Sequence, residues 1–277
     1  MPQFGGGISI KAIKCWAGFF ILFQLVISPV AIHASEGVKD TTVTFRQFAS
    51  SVKSDYKNFY STNRLVRMSF VFAGGALVAN TALDQNIQNW YQEHVRTSRT
   101  DDISKAAKFF GEGRYMIPFS LVSAVAGTYL IKIPVLGKWG SYAFRSYLVG
   151  GPPLVILQRL TGGSRPGERE EDSRWNPLKD DNGVSGHAFV GAVPFLVLAH
   201  MSEQKPLLKY LFYTASFFPA LSRINDNMHY PSQAALGWYL AWEATGSVRE
   251  TTGKKKNLSV VPIIGNDSFL VYLQLRW

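Results

Sequence analysis

The sequence predicts an all-α protein, a bundle of about six core helices, and three observations predict it. Apolar segments recur at 66–83, 115–133, 142–160, 189–201, 207–221 and 234–244, separated by Gly, Pro or charged clusters. Most are interrupted by a polar residue or fall short of the ~18 residues that suggest a membrane span, so packing against one another is the simpler reading. The 277 residues are 47% hydrophobic with a mean hydropathy of +0.01. That is enough apolar surface for one sizeable core, and too little for a chain that is mostly spanning helix.

In chain order, Lys11 and Lys14 precede an apolar run over 16–30, and Ala31-Ile32-His33-Ala34 offers a small residue before Ser35. This predicts a signal peptide or an N-terminal anchor over 1–34. Export to the cell envelope, periplasmic or membrane-associated, is the corresponding expectation. The single cysteine, Cys15, lies inside that segment, so the remainder has neither a disulfide nor a thiolate nucleophile. From 35 to 64 the chain is polar, with Phe45, Phe48, Val52, Tyr56 and Tyr60 at spacings of three and four, which predicts an amphipathic helix. The stretch 116–131 is uncharged and near spanning length, with Lys132 and Lys138 just beyond it, and membrane insertion there stays open. Between 160 and 186 the composition disfavours helix, and an ordered loop of that length is usually functional.

The helical domain is expected over 35–248, with a linker and hairpin over 249–277. Thr251-Thr252-Gly253-Lys254-Lys255-Lys256 reads as the polar linker. Phe269, Val271, Leu273, Leu275 and Trp277 then alternate behind a Gly265-Asn266-Asp267 turn and the strand-like stretch 259–264, as a β-hairpin requires. A terminal aromatic resembles outer-membrane strands, but two strands cannot close a barrel.

Net charge is +10, from 29 Lys+Arg against 19 Asp+Glu, which concentrates anionic partners near the surface. Phosphorylated substrates and a membrane surface both qualify. No nucleic acid is expected, because no basic helix, zinc-ligand spacing or aromatic-basic strand motif is present. No oligomeric state is implied.

Three stretches pair an anion-binding residue with backbone suited to approach phosphate: Arg165-Pro166, Ser185-Gly186-His187, and Ser222-Arg223 followed by His229. Ser185 is placed to cap the helix that follows it, and Gly186 allows a ligand near the first N–H groups, where helix starts attract phosphate. His229 stands two residues before Pro231, which favours a first helical turn. The positive end of that helix disfavours an imidazolium and keeps the ring neutral enough to attack phosphorus. Taken singly each stretch is weak, since an arginine pinned to Glu168, Glu170 or Asp172, or a structural histidine, would look the same.

Together, in order and spacing, they resemble the phosphatidic acid phosphatase type 2 superfamily, which includes bacterial acid phosphatases and vanadium-dependent haloperoxidases. The family pattern is Lys, six residues, Arg-Pro; then Pro-Ser-Gly-His; then Ser-Arg, five residues, His, three residues, Asp. This chain has Gln158, Arg165-Pro166, Val184-Ser185-Gly186-His187, Ser222-Arg223, His229 and Gln233 at the same spacings. The resemblance implies metal-independent phosphomonoester hydrolysis with no cofactor. His229 would be the nucleophile that forms a phosphohistidine and His187 the acid that protonates the leaving oxygen. Arg165, Ser185, Gly186 and Arg223 would hold phosphate oxygens, with Gln158 and Gln233 standing at the remaining motif positions. A phosphorylated lipid or small phosphomonoester is the implied substrate.

Three motif positions depart from the family: Gln158 for Lys, Val184 for Pro and Gln233 for Asp. Gln158 removes a phosphate-binding charge, and haloperoxidase chemistry, which needs firmly held vanadate, loses ground with it. Gln233 matters most, because the family's Asp orients the nucleophilic ring and stabilises its developing charge. An amide can orient but cannot neutralise, and in the serine-protease triad a similar exchange lowers turnover by about 10⁴ through the wrong tautomer. Asp226, near in sequence, is a candidate to supply the missing charge. The two readings are therefore a phosphatase and a weakened member that binds phosphate or lipid headgroups without efficient turnover.

Overall fold

The protein is described from a computed structural model that covers residues 44–168, 172–253, 257–264 and 269–276. The predicted signal peptide or anchor over 1–34 lies outside the described residues.

The helices are α1 (Phe45–Phe59), α2 (Thr62–Ala79), α3 (Ala82–His94), α4 (Ser98–Phe110), α5 (Gly113–Val125) running into a π-helical turn (Ala126–Leu130), α6 (Pro134–Thr161), α7 (Gly186–Met201), α8 (Pro206–Ala215), α9 (Phe218–Asn225) and α10 (Pro231–Thr252). Strands β1 (Asn257–Ile264) and β2 (Phe269–Arg276) pair antiparallel, with Asn257 opposite Arg276 and Ile264 opposite Phe269, where the alternating pattern predicts a hairpin.

The all-α prediction holds, with corrections at particular elements. The expected helix over 35–64 is described from Phe45, opened by a Thr44–Gln47 capping box, and it stops at Phe59. Helices α3 and α4 have no long apolar run and are absent from the predicted set. They are built instead from scattered apolar positions behind threonine caps, Thr81 and Thr97. The single segment 207–221 divides into α8 and α9, the second opening at Phe218 with Pro219 in its first turn. Helix α10 continues past the expected end to Thr252, its Thr251 and Thr252 hydroxyls donating back to the Ser247 and Val248 carbonyls.

Among the described residues no single helix is long and apolar enough to cross a membrane; α2 and α3 pass that test only together, bent by 72°. The near-spanning stretch 116–131 contains Pro118 and changes to π-helical geometry at Ala126. There the turn presses onto α6: a Cβ on Gly127 would strike the backbone of Gly137, and one on Gly140 that of Ala124 and Ser120.

The core centres on α7, whose residues from Ala188 to Ala199 are all buried, with α4, α5, α6, α9 and α10 packed around it. Two prolines inside helices each free a carbonyl four residues earlier, and each of these carbonyls is met by a tyrosine from another helix. Pro194 leaves the Val190 carbonyl, to which the Tyr147 hydroxyl of α6 donates at 3.0 Å. Pro152 leaves the Leu148 carbonyl, to which the Tyr56 hydroxyl of α1 donates at 2.6 Å.

Buried ion pairs fasten α1 and α2 to the rest. Arg145 of α6 donates to both oxygens of Asp55 at 2.7 and 2.6 Å, with Asp55 fully buried. Glu243 of α10 accepts from Arg64, from Arg67 at 3.2 and 3.1 Å and from the Tyr239 hydroxyl at 2.7 Å. Burial pushes the Glu243 carboxyl up, and the Arg67, Tyr239 and Arg64 donors together outweigh it and hold the group below the usual carboxylate range.

Candidate active site

Arg165, His187, Arg223 and His229, from loops and helix ends, lie near enough for their charges to act on one another. Ser185 caps α7: its Oγ accepts from the Ala188 N–H at 3.3 Å, and its own N–H donates to the Gln233 carbonyl at 2.9 Å. That second bond ties the start of α7 to the start of α10. Gly186 and His187 form the first turn of α7, where N–H groups have no intrahelical acceptor. Arg165 follows α6, half-buried, its Nε donating to the Asn182 side chain at 2.9 Å. Its N–H, not its guanidinium, meets the Glu168 carboxylate at 3.1 Å.

Arg223 lies on α9 with 3% exposure, and its Nε and Nη1 have no hydrogen-bond partner among the described residues. Nη1 is 3.6 Å from the Asp226 carboxylate. Burial lowers its pKa most, with the neighbouring Arg165 adding to the effect against Asp226 and Glu112. A buried guanidinium with donors to spare is suited to a polyoxygen anion. Ser222 is buried beside it and donates to the Pro219 carbonyl at 2.8 Å. Asp226 is engaged with Arg223 and with the Ser104 hydroxyl at 2.6 Å, so the charge expected to serve His229 serves Arg223 instead.

His229 sits between α9 and α10 with 5% exposure, its Nδ1 3.0 Å from Gln233 Oε1. The polarity of that amide is set by its other contacts. Oε1 also accepts from the Tyr230 N–H at 3.1 Å, and Nε2 donates to the Ser164 carbonyl at 2.8 Å. Because a backbone N–H can only donate and a carbonyl can only accept, Oε1 must face the ring, and His229 must carry its proton on Nδ1. Nε2 is then the nitrogen with a free lone pair. Gln233 thus orients the ring and caps the start of α10 through one oxygen. Burial is the main reason the His229 pKa falls to about 3; the Gln233 bond opposes it, and the charges of Arg223, Arg165 and His187 lower it further.

His187 is one-third exposed, its Nε2 3.5 Å from Glu112 Oε1. Burial lowers its pKa, with Arg223 and Lys108 acting the same way and Glu112 opposing them. Gln158, in the last turn of α6, donates from Nε2 to the Val184 carbonyl at 2.9 Å. It fastens the backbone just ahead of Ser185 where the family places a charge. Val184 is fully buried in the main core.

Some contributors were not visible in the sequence. Glu112 reaches the site from the α4–α5 turn, and Ser164 and Asn182 act through ordinary loop positions. Asp84, at the start of α3, is fully buried and accepts from the Ser232 N–H at 2.9 Å and its hydroxyl at 2.5 Å, capping α10 behind His229. Its place in the first turn of α3 is an N-terminal acidic signal that a search for capped helices would have flagged.

The buried histidines set an acid limit on stability. His229 and His200 are both pushed down to about 3, in each case chiefly by burial. The unfolded chain binds a proton near the usual imidazole value of about 6.5 and the folded one does not. Their contribution is therefore complete above that pH and is lost as pH falls toward 3. Urea midpoints are expected to drop from pH 6.5 downward, and His200→Leu is expected to flatten the decline by roughly 1 kcal/mol per pH unit.

A family model described as the PAP2 superfamily matches residues 139–255. No curated protein and no solved structure matches the chain. The matched span contains the three motif stretches and the convergent histidines and arginines described above; it supports membership in the PAP2 superfamily and, with it, a phosphatase-type activity.

Proposed function

We propose that the protein is a metal-independent phosphomonoesterase of the cell envelope that acts on lipid phosphates or related phosphomonoesters through a phosphohistidine. The observation that carries this reading is the Gln233 amide, which holds His229 in the tautomer that exposes Nε2. In the first step Nε2 attacks phosphorus, the P–O bond breaks, and the leaving oxygen takes a proton from His187. In the second, water gives one of its own protons to His187 as it attacks phosphorus, and the P–N bond breaks. Arg165 and Arg223 stabilise the equatorial oxygens.

A lipid-borne phosphate is supported by the outer surface. Phe70, Leu77, Trp90, Val122 and Leu130 are all exposed, and an apolar cavity of ≈ 540 Å³ lies between α2, α9 and the start of α10. These features also suit contact with a membrane surface.

Purified protein is expected to release phosphate from a lipid phosphate and an aryl phosphate, and His229→Ala is expected to remove essentially all of it. Hydrolysis by His229→Ala at the parent's rate would exclude the assigned nucleophile. A second reading, phosphate or headgroup binding with little turnover, is favoured by Gln158, which presents no charge where the family has one. It predicts that vanadate raises the melting temperature of a protein that releases no phosphate.

A further inference from the structure

The α4–α5 turn belongs to no family motif and lies outside the matched span, yet it closes on the first turn of α7. Gly111 makes this approach possible: a Cβ there would come within 2.9 Å of the His187 Cβ and carbonyl oxygen and 3.0 Å of its Cδ2. The next residue, Glu112, directs Oε1 at His187 Nε2 at 3.5 Å, while its Oε2 lies 3.4 Å from Arg114. The Glu112 side chain is 24% exposed, which leaves its charge only partly screened by solvent.

We propose that Glu112 is a positioning residue for His187, taking the Nε2 proton of the ring so that Nδ1 is the nitrogen that serves the substrate. The proposal rests on the phosphatase reading for the use made of that nitrogen. With Nε2–H held by the carboxylate, the imidazolium transfers its Nδ1 proton to the leaving oxygen as the P–O bond breaks. The neutral ring keeps Nε2–H toward Glu112 and has its Nδ1 lone pair free to accept a proton from the water that cleaves the P–N bond. The logic is that of a carboxylate orienting a catalytic histidine, applied here to the acid and not the nucleophile.

The electrostatic surroundings give the carboxylate a task. The charged and titratable groups facing His187 are Lys108 from α4, Glu112, Arg223 from α9 and His229 ahead of α10. Burial, Arg223 and Lys108 all favour the neutral ring, which is useless as an acid, and Glu112 is the group that favours the protonated one.

The test is an NMR titration of the His187 imidazole, assigned with His187→Asn, in the parent, Glu112→Gln, Glu112→Asp and Glu112→Leu. Glu112→Gln is expected to titrate at lower pH than the parent and Glu112→Asp to recover part of the shift, while Glu112→Leu, which offers the ring no acceptor, loses the preference for Nε2–H in the neutral ring. An unchanged titration in Glu112→Gln, or an unchanged tautomer in Glu112→Leu, would overturn the proposal, and this readout needs no turnover. In the kinetic arm the alkaline limb of kcat/KM moves to lower pH in Glu112→Gln. The loss near neutrality is about tenfold for an alkyl phosphate, a fraction of the 10²–10⁴ a general acid supplies, and under about twofold for a nitrophenyl phosphate that leaves without help. Equal losses on both substrates with an unmoved limb would also overturn it. If the parent releases no phosphate from either substrate while the titration shifts as expected, the phosphatase reading fails and the Glu112–His187 pairing stands.

Discussion

Gln233→Leu is expected to lower kcat for phosphate release by about 10³–10⁴, the scale set by tautomer loss in a triad, with a smaller change in KM. The leucine removes the acceptor that holds the proton on His229 Nδ1, so the ring is free to place it on Nε2 and lose its nucleophile. It also orphans the Tyr230 N–H and the Ser164 carbonyl, both buried against the amide, and roughly 2–4 kcal/mol of stability should go with them. The ring tautomer, read from imidazole nitrogen shifts, separates the two effects: a Gln233→Leu variant that keeps Nδ1–H and full kcat would show that Gln233 has no part in the chemistry. The Ser164 carbonyl also explains why a carboxylate is not a simple improvement here. In Gln233→Glu the second oxygen would face that carbonyl at the 2.8 Å now spanned by a donor, so the new acid gains no neutralising charge unless the loop moves.

Asp55→Ala is expected to destabilise the protein by about 3–5 kcal/mol, because it strands the Arg145 guanidinium in a site with 4% exposure. Arg145→Ala should cost a similar amount for the opposite charge. Replacing both, as in Asp55→Leu with Arg145→Met, is expected to restore much of the loss, since the cost lies in the uncompensated charge and not in the absent pair. Denaturant midpoints with an unchanged slope would measure this, and a double variant no better than either single one would show that the pair holds the helices in register.

The site was legible in the sequence to the extent that it is carried by spacing. The intervals joining Gln158, Arg165, Ser185, His187, Arg223, His229 and Gln233 sit at helix ends, where motif distance along the chain maps onto fixed geometry. Glu112 was not legible, because its relation to His187 depends on how α4 and α5 meet α7, and no local interval records that. Asp226 departs from expectation for the same reason: it is near His229 in sequence but turns to Arg223 and Ser104. Among the helices, α6, α7 and α10 are legible from their apolar runs. Helices α3 and α4 escape because their apolar residues are too sparse to form one, and it is tertiary packing that makes them helical. The amide orientation of Gln233 is decided by the Tyr230 N–H together with the Ser164 carbonyl, and the second of these is a contact between distant segments that no local interval records.

The tyrosine–proline pairs make the secondary structure of this protein conditional. Helix α7 contains a carbonyl that α6 satisfies, and α6 contains one that α1 satisfies. Neither is a complete hydrogen-bonded unit in isolation, so each gains its last bond at the moment of docking and has reason to remain incomplete before it. Folding of the bundle is thereby made more nearly all-or-none. The family-matched segment shares in this dependence, for Tyr56 and Asp55, which precede it, answer a carbonyl and a cation on one face of α6.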